Sequence, residues 1–351
     1  MLQVRGSSPD LDTPRPECIP GQRQPALIQG DHSPERGLSA DALECISGSI
    51  MKSTRKHYDS KFSKWEEYCS SHNISDAKNT NVNNIINFLS SQHKNGLSAQ
   101  TINVFRSAIS FFHSYIDGSP VGQHPLVVRC LQGIYKAKPP QPKYATTWDI
   151  QGLLDLLAGP SYNPNSTISE LKLKHKLVIL ILSSTACRQS VITRLLHSSD
   201  HLVERSDHFV LHPSGWDKTS RFTRKVHPLM IFDHPTRPEI SPFLCLKSYL
   251  ERVPRGTSSS LFLSDKKPFP VSLSELRNWV SAIMKSAGVP NQFSVHSIRG
   301  AVTSRAAFTL TTAEILEAAD WKSESVFRTF YLRNTSPSII DNRRSFQAAI
   351  L

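Results

Sequence analysis

"FSVHSIRGAVTSRAAF", residues 293–308, reads as the opening of a helix. It sets His296 and Arg299 three positions apart near the N-terminal end, with Arg305 two turns further on. A helix start already carries partial positive charge from its unpaired N–H groups. Adding an imidazole and a guanidinium there makes a place for an anion, and phosphate is the obvious candidate. His296 alone would equally suit a helix cap, so the rest of the chain must supply the other parts of a site.

The bulk composition points the same way. The chain has 351 residues, a net charge of +12 and a pI near 9.5, which favours a polyanionic partner, with nucleic acid ahead of an anionic membrane surface. A hydrophobic fraction of 38% allows a packed core, and the length allows two ordinary domains. The most apolar run, "LVILILSS", falls well short of the roughly 20 residues of a membrane span. The opening "MLQVRGSSPDLDTPRP" has no apolar signal core, so no secretory signal is expected. Cysteines 18, 45, 69, 130, 187 and 245 form no CxxC pair. Reduced thiols are therefore expected, with neither a disulfide framework nor a zinc site. The His197/His201 and His208/His212 pairs have no HExxH or cysteine set around them, and no metal is expected.

Residues 1–38 hold prolines 9, 14, 16, 20, 25 and 34 among polar neighbours, a composition that cannot offset its chain entropy and reads as disordered. Residues 39–138 read as a set of helices. Tyr58, Phe62, Trp65 and Cys69 recur at helical spacing after a Ser53 cap. Val82, Ile85, Ile86 and Leu89 follow, with Gly96 as a stop, then Ile102, Phe105, Ile109 and Phe112 after a Ser98 cap. "PLVVRCLQGIYKAK" makes a fourth helix. Lys52, Arg55, Lys56, Lys61, Lys64 and Arg106 are read as the opposite, basic faces, either solvated or set against nucleic acid.

Residues 139–147 begin with paired prolines and read as a linker. Beyond it, residues 148–351 read as mainly α with a small antiparallel β-element. "TTWDIQGLLDLLAG" is a helix ending at Gly159, and "ELKLKHKLVILILSSTA" is a buried one. "HFVLHPSGWDKTSRFTRKVHPLMIF" reads as strand, turn, strand. Helices are expected at about 241–252, 272–287, 295–308, 312–320 and 324–333.

With these elements placed, a series appears along the second domain. "SSTACRQSVITRLL" puts Arg188 at a break between two helices, and "WDKTSR" puts Lys218 in the hairpin. His296 and Arg299 come next, and "EAADWKSESVFRTFYLRN" adds Trp321 before a turn and Tyr331 near the end of the following helix. This ordered set resembles the tyrosine recombinases, or phage-type integrases, over about residues 50–350. "SAQTINVFRSAISFFH", "PVGQHPLVVRCLQGIYKAKPPQPKYATTWDI", "FRTFYLR" and a Trp where many members have His resemble most the recombinases of DIRS-type and related eukaryotic mobile elements.

The resemblance implies a helical SAM-like core-binding domain followed by a catalytic α+β domain. It implies that Arg188 and Arg299 grip a phosphate, that Tyr331 is the nucleophile and that Lys218 is the general acid, with Lys225 on the opposite strand as its rival. His296 and Trp321 would complete the phosphate site. No metal or nucleotide cofactor is implied. The partner would be double-stranded DNA, held between the two domains by a homotetramer, in the nucleus of a eukaryotic host. The apolar end of "LRNTSPSIIDNRRSFQAAIL" would dock on a neighbouring protomer or on its own domain. Two departures stand out. Many members carry an acidic residue three positions after the first arginine, where this chain has Val191, and Gly300 follows Arg299 where a bulkier residue is ordinary. The alternatives are a catalytically retired, element-derived DNA-binding protein and, more remotely, a topoisomerase of the same chemistry.

Overall fold

The computed structural model describes residues 39–141, 144, 146–215, 227–254, 256–266, 268–321 and 324–332. Lys218, Lys225, the proline-rich 1–38 segment and the apolar tail thus lie outside the described residues. The chain divides into two compact units between Gln141 and Pro142.

The first unit is helical. It comprises α1 (Ala40–Ser47), α2 (Lys52–Ser71), α3 (Val82–Lys94), α4 (Ala99–Phe112) and α5 (Pro125–Ala137). Tyr58, Phe62, Trp65 and Cys69 bury one stripe of α2. Trp65 is wholly inside, with its indole N–H donated to the Ala77 carbonyl at 2.8 Å. Phe88 meets Trp65 edge-on at 5.2 Å and Phe105 at 5.3 Å, the geometry that ring quadrupoles favour. The ends follow local chemistry. Asn81 and Ser98 accept from the backbone N–H groups of Asn84 and Thr101, and Gly96 takes φ +83° just past α3.

Two expectations are corrected here. Ser53 does not cap α2, because the Met51 carbonyl already accepts from Arg55 N–H at 3.0 Å, so the helix starts at Lys52. Arg106 does not belong to the basic face. It is only 9% exposed and donates Nη1 to the Gly122 carbonyl at 2.9 Å, and burial lowers its pKa. Close approach at Gly122, where an added Cβ would stand 3.0 Å from Ser110 Oγ, brings that carbonyl within reach.

The second unit is built around α7 (Glu170–Thr185), which is buried on nearly every side. Even Lys176 is inside, its ammonium bonded to the Tyr162 carbonyl and to the side-chain oxygens of Asn163 and Asn165 at 2.7–2.9 Å. Around it lie α6 (Gln151–Ala158), α8 (Gln189–Ile192), α9 (Pro242–Arg252), α10 (Leu273–Ser286), α11 (Ser297–Ala306), α12 (Thr312–Ala318) and α13 (Glu324–Phe330). The sheet is antiparallel in the order β1 (Leu202–Glu204), β2 (His208–Leu211), β3 (Leu229–Phe232). Phe209 pairs with Ile231, and both are buried together with Leu211. Strands β2 and β3 are the expected hairpin arms, while β1 is an addition to the sequence reading. Among the described residues no helix is long and apolar enough to cross a membrane.

Candidate active site

Four short breaks in the second unit deliver the candidate side chains. At the first, α7 ends at Thr185 and Ala186 enters the left-handed region at φ +47°. That conformation costs an alanine on the order of 1–2 kcal/mol, and such strain gathers at functional sites. The chain then restarts as α8, with Arg188 as its first flanking residue.

At the second, two hydrogen-bond anchors fix the turn before α11. Tyr144 donates its hydroxyl to Ser294 Oγ at 3.0 Å and accepts from Ser294 N–H at 2.9 Å. Trp148 donates its indole N–H to Ser297 Oγ at 2.8 Å. His296 sits between them at the helix start but makes no cap bond. Its Nε2 instead lies 3.2 Å from the Tyr331 hydroxyl.

The third break is the turn at Asp320 (φ +53°), which sets Trp321 just beyond α12. The fourth is the end of α13, where Tyr331 follows the last helical residue and its N–H bonds the Phe327 carbonyl at 2.9 Å.

Arg299, on α11, is the buried centre of this group, 5% exposed. Its Nη2 donates to the Ala319 carbonyl. The guanidinium carbon lies 4.4 Å from the Trp321 ring centre and 5.9 Å from that of Tyr331. Trp321 and Tyr331 are themselves 4.4 Å apart, centre to centre. A guanidinium over aromatic faces is favourable, but it leaves polar edges to be satisfied, and the buried Arg299 Nε has no acceptor among the described residues. Burial first, and then the positive charge of Arg188, push the Arg299 pKa down to about 10, against the opposing pull of Tyr331, Cys187 and Asp320. It stays protonated at neutral pH, as a cation with another cation close by, an arrangement an incoming anion relieves.

Arg188 lines two clefts. One, of about 620 Å³, also carries Gln189, Arg277, Ser294, His296 and Tyr331. The other, of about 480 Å³, carries Arg299, Val191, His227 and Asp320. The structure therefore brings together Arg188, His296, Arg299, Trp321 and Tyr331, while Lys218 lies outside the described residues. Arg305 points elsewhere and pairs with Asp149 at 3.3 Å.

Sequence reasoning missed several neighbours. Gln189 accepts from Arg277 Nε at 3.3 Å, and both line the first cleft. A carboxylate does stand near the arginines, though not at Val191, which is buried core. It is Asp320, whose Oδ1 lies 3.6 Å from His227 Nε2. The one signal in the sequence was an aspartate directly before the tryptophan, a residue type that tolerates the left-handed turn found there.

The model for the phage integrase N-terminal SAM-like domain matches residues 46–116. Among solved structures, the chain is similar to the XerH site-specific recombinase bound to palindromic difH substrate in a post-cleavage complex, at 18% identity and TM-score 0.56, over 89% of this chain and 84% of that one. It is also similar to a lambda integrase tetramer bound to a Holliday junction, at 14% identity and TM-score 0.52, over 84% and 77% of the two chains. The fold is that of the tyrosine recombinases. At such low identity the fold is what the chain shares with those proteins. No curated protein matches the sequence.

Proposed function

We propose that the chain is a site-specific DNA recombinase, or integrase, that cleaves and rejoins DNA through a covalent 3′-phosphotyrosyl intermediate. The observation that carries this reading is the Tyr331 hydroxyl 3.2 Å from His296 Nε2, beside a buried, charged Arg299. A phenol and a base in hydrogen-bond contact form an activated nucleophile, and the guanidinium supplies positive charge where negative charge develops.

In the proposed step Tyr331 Oη attacks the phosphorus and gives up its proton toward His296. Arg188 and Arg299 hold the non-bridging oxygens as the pentacoordinate state forms. The bond to the 5′ oxygen breaks, and Lys218, or its rival Lys225, protonates that oxygen. Trp321 is the shelf on which Arg299 and Tyr331 lie. One phosphoester is exchanged for another, so a 5′-hydroxyl from a second strand reverses the step without a nucleotide to drive it.

The exposed cations of α2, Lys52, Arg55, Lys56 and Lys64, together with the half-buried Lys61, suit phosphate contacts along double-stranded DNA. The sequence motifs favour an origin in a DIRS-type or related eukaryotic element, acting in the nucleus. Strand exchange between two duplexes calls for a homotetramer, the assembly in which lambda integrase is bound to a Holliday junction.

The test is to incubate the protein with nicked, end-labelled DNA from the flanks of its own gene and look for a denaturation-resistant protein–DNA adduct. Binding without adduct would leave the retired, DNA-binding reading in its place. For the acid, Lys218→Ala should block cleavage of an ordinary phosphodiester yet cleave a substrate with sulfur at the 5′ bridge, since a thiolate leaves unprotonated. Rescue confined to Lys225→Ala would transfer the role.

A further inference from the structure

His296, Gly300 and Ser304 are spaced by four along α11 and its flank, so they share one stripe of the helix. All three meet the same residue. His296 Nε2 contacts the Tyr331 hydroxyl at 3.2 Å. A Cβ built on Gly300 would stand 3.8 Å from the Tyr331 carbonyl oxygen and 4.0 Å from its Cδ1. Ser304, 2% exposed, donates its hydroxyl to the Tyr331 carbonyl at 2.9 Å. Tyr331 is thus laid lengthwise on the helix, touched at its reactive end, its ring and its backbone.

We infer that this stripe is a cradle for Tyr331, and that Ser304 is a positioning residue that fixes where the phenol oxygen lies. The inference deepens the recombinase reading and rests on it for its catalytic consequence. The physical need is plain. Tyr331 follows a seven-residue helix, too short to hold its own terminus. A side chain hinged on such an end sweeps a wide arc, and small misplacements of a reacting atom are costly. The Ser304 hydroxyl ties the backbone at the hinge. Gly300 leaves ordinary contact distance at the ring, room for a methyl and no more. His296 then meets the hydroxyl at the far end. The neighbouring Arg299 lies nearer the Trp321 ring, 4.4 Å from its centre, than the Tyr331 ring at 5.9 Å.

The experiment pairs two readouts on the full-length protein. The first, without DNA, is hydrogen exchange of the Tyr331 and Leu332 amides, both bonded to the Phe327 carbonyl at 2.9 Å. Ser304→Ala should speed their exchange about five- to tenfold, the value of one ordinary hydrogen bond. The second is single-turnover adduct formation on saturating nicked DNA, with DNA affinity and melting temperature measured alongside. Ser304→Ala should slow the adduct by a similar factor at unchanged affinity. Gly300→Ala should stay within about threefold, whereas Gly300→Val should slow the adduct by about a hundredfold, as expected for a reacting atom pushed off line by about 1 Å.

Unchanged exchange in Ser304→Ala overturns the cradle. Faster exchange with an unchanged adduct rate overturns its part in positioning the nucleophile. An adduct from Gly300→Val at the wild-type rate does the same. If the wild-type chain forms no adduct on any flanking DNA, the recombinase reading fails, and the cradle stands or falls on the exchange result alone.

Discussion

The two units handle positive charge in opposite ways. In the first, Lys52, Arg55, Lys56 and Lys64 ride outside on a helix whose other stripe is packed with Tyr58, Phe62, Trp65 and Cys69. Arg55 pairs with Asp59 at 3.1 Å and lies over Phe112 at 4.9 Å. Each such charge keeps its hydration and is worth little alone. In the second, Arg299 is buried on two rings, with its pKa pushed down to about 10 and one N–H without an acceptor among the described residues. That charge has lost water and gained incomplete compensation, so an anion placed beside it interacts in a low-dielectric setting. Exposed charges bind by number; a buried one binds by position. Mutations should separate the two.

The largest effect expected is at the nucleophile. Tyr331→Phe keeps the ring against Trp321 and Arg299 and removes only the oxygen that meets His296. Covalent adduct should vanish while DNA affinity stays within about twofold, because affinity comes mainly from phosphate contacts elsewhere. Adduct surviving in Tyr331→Phe would move the nucleophile to another residue and undo the site.

Next comes the buried cation. Arg299→Lys keeps the charge but cannot span Ala319, the Trp321 face and an anion at once, since an ammonium has no planar fork. Adduct formation should slow about a hundredfold or more, the loss seen when one preorganised donor to a developing charge is removed. A change under about threefold would place Arg299 off the phosphate.

What the sequence could and could not disclose follows the same division between local and remote. The helical stripes of α2 and α4 were legible because burial repeats every three or four residues. Arg188, His296, Trp321 and Tyr331 were legible because each sits at a break that the sequence marks with a change of pattern, and Arg299 follows His296 by one turn of α11. Strand β1 was not, since three residues are too few to show alternation. The carboxylate at Asp320 was harder to read, because its nearness to Arg299 depends on the end of α12 folding back on α11, where the Ala319 carbonyl accepts from Arg299. Arg106 was misread for a different reason. It lies four residues after Ile102 and three before Ile109, inside the buried stripe, and only its charge argued for the surface. Period outweighed composition there because the Gly122 carbonyl stood ready to accept.

Arg106 therefore offers a cleaner contrast within the first unit. Arg106→Ala should destabilise that unit by about 1–3 kcal/mol, as for a buried polar group deprived of its partner, read as a lower melting temperature. DNA affinity measured below the melting range should not change. If affinity drops while the melting temperature holds, Arg106 reaches the DNA and the surface reading was right.

The smallest single effects belong to the α2 face, and they add. Lys52, Lys56 and Lys64 are exposed on one helix at spacings of four and eight, which spreads them over about a third of its circumference. A lysine that neutralises one phosphate releases about one counterion from duplex DNA, so its removal flattens the slope of log K against log salt by about 0.9. Each single alanine should weaken binding by about tenfold or less at moderate salt, uniformly across DNA sequences. The triple alanine should flatten the slope by about 2.7 and leave the melting temperature in place, since none of the three packs into the core. The rate of adduct formation at saturating DNA should also hold, because the chemistry lies in the other unit. A triple variant with the wild-type slope would mean that these three lysines face solvent in the complex, and the basic charge of the first unit would then have to act through another face.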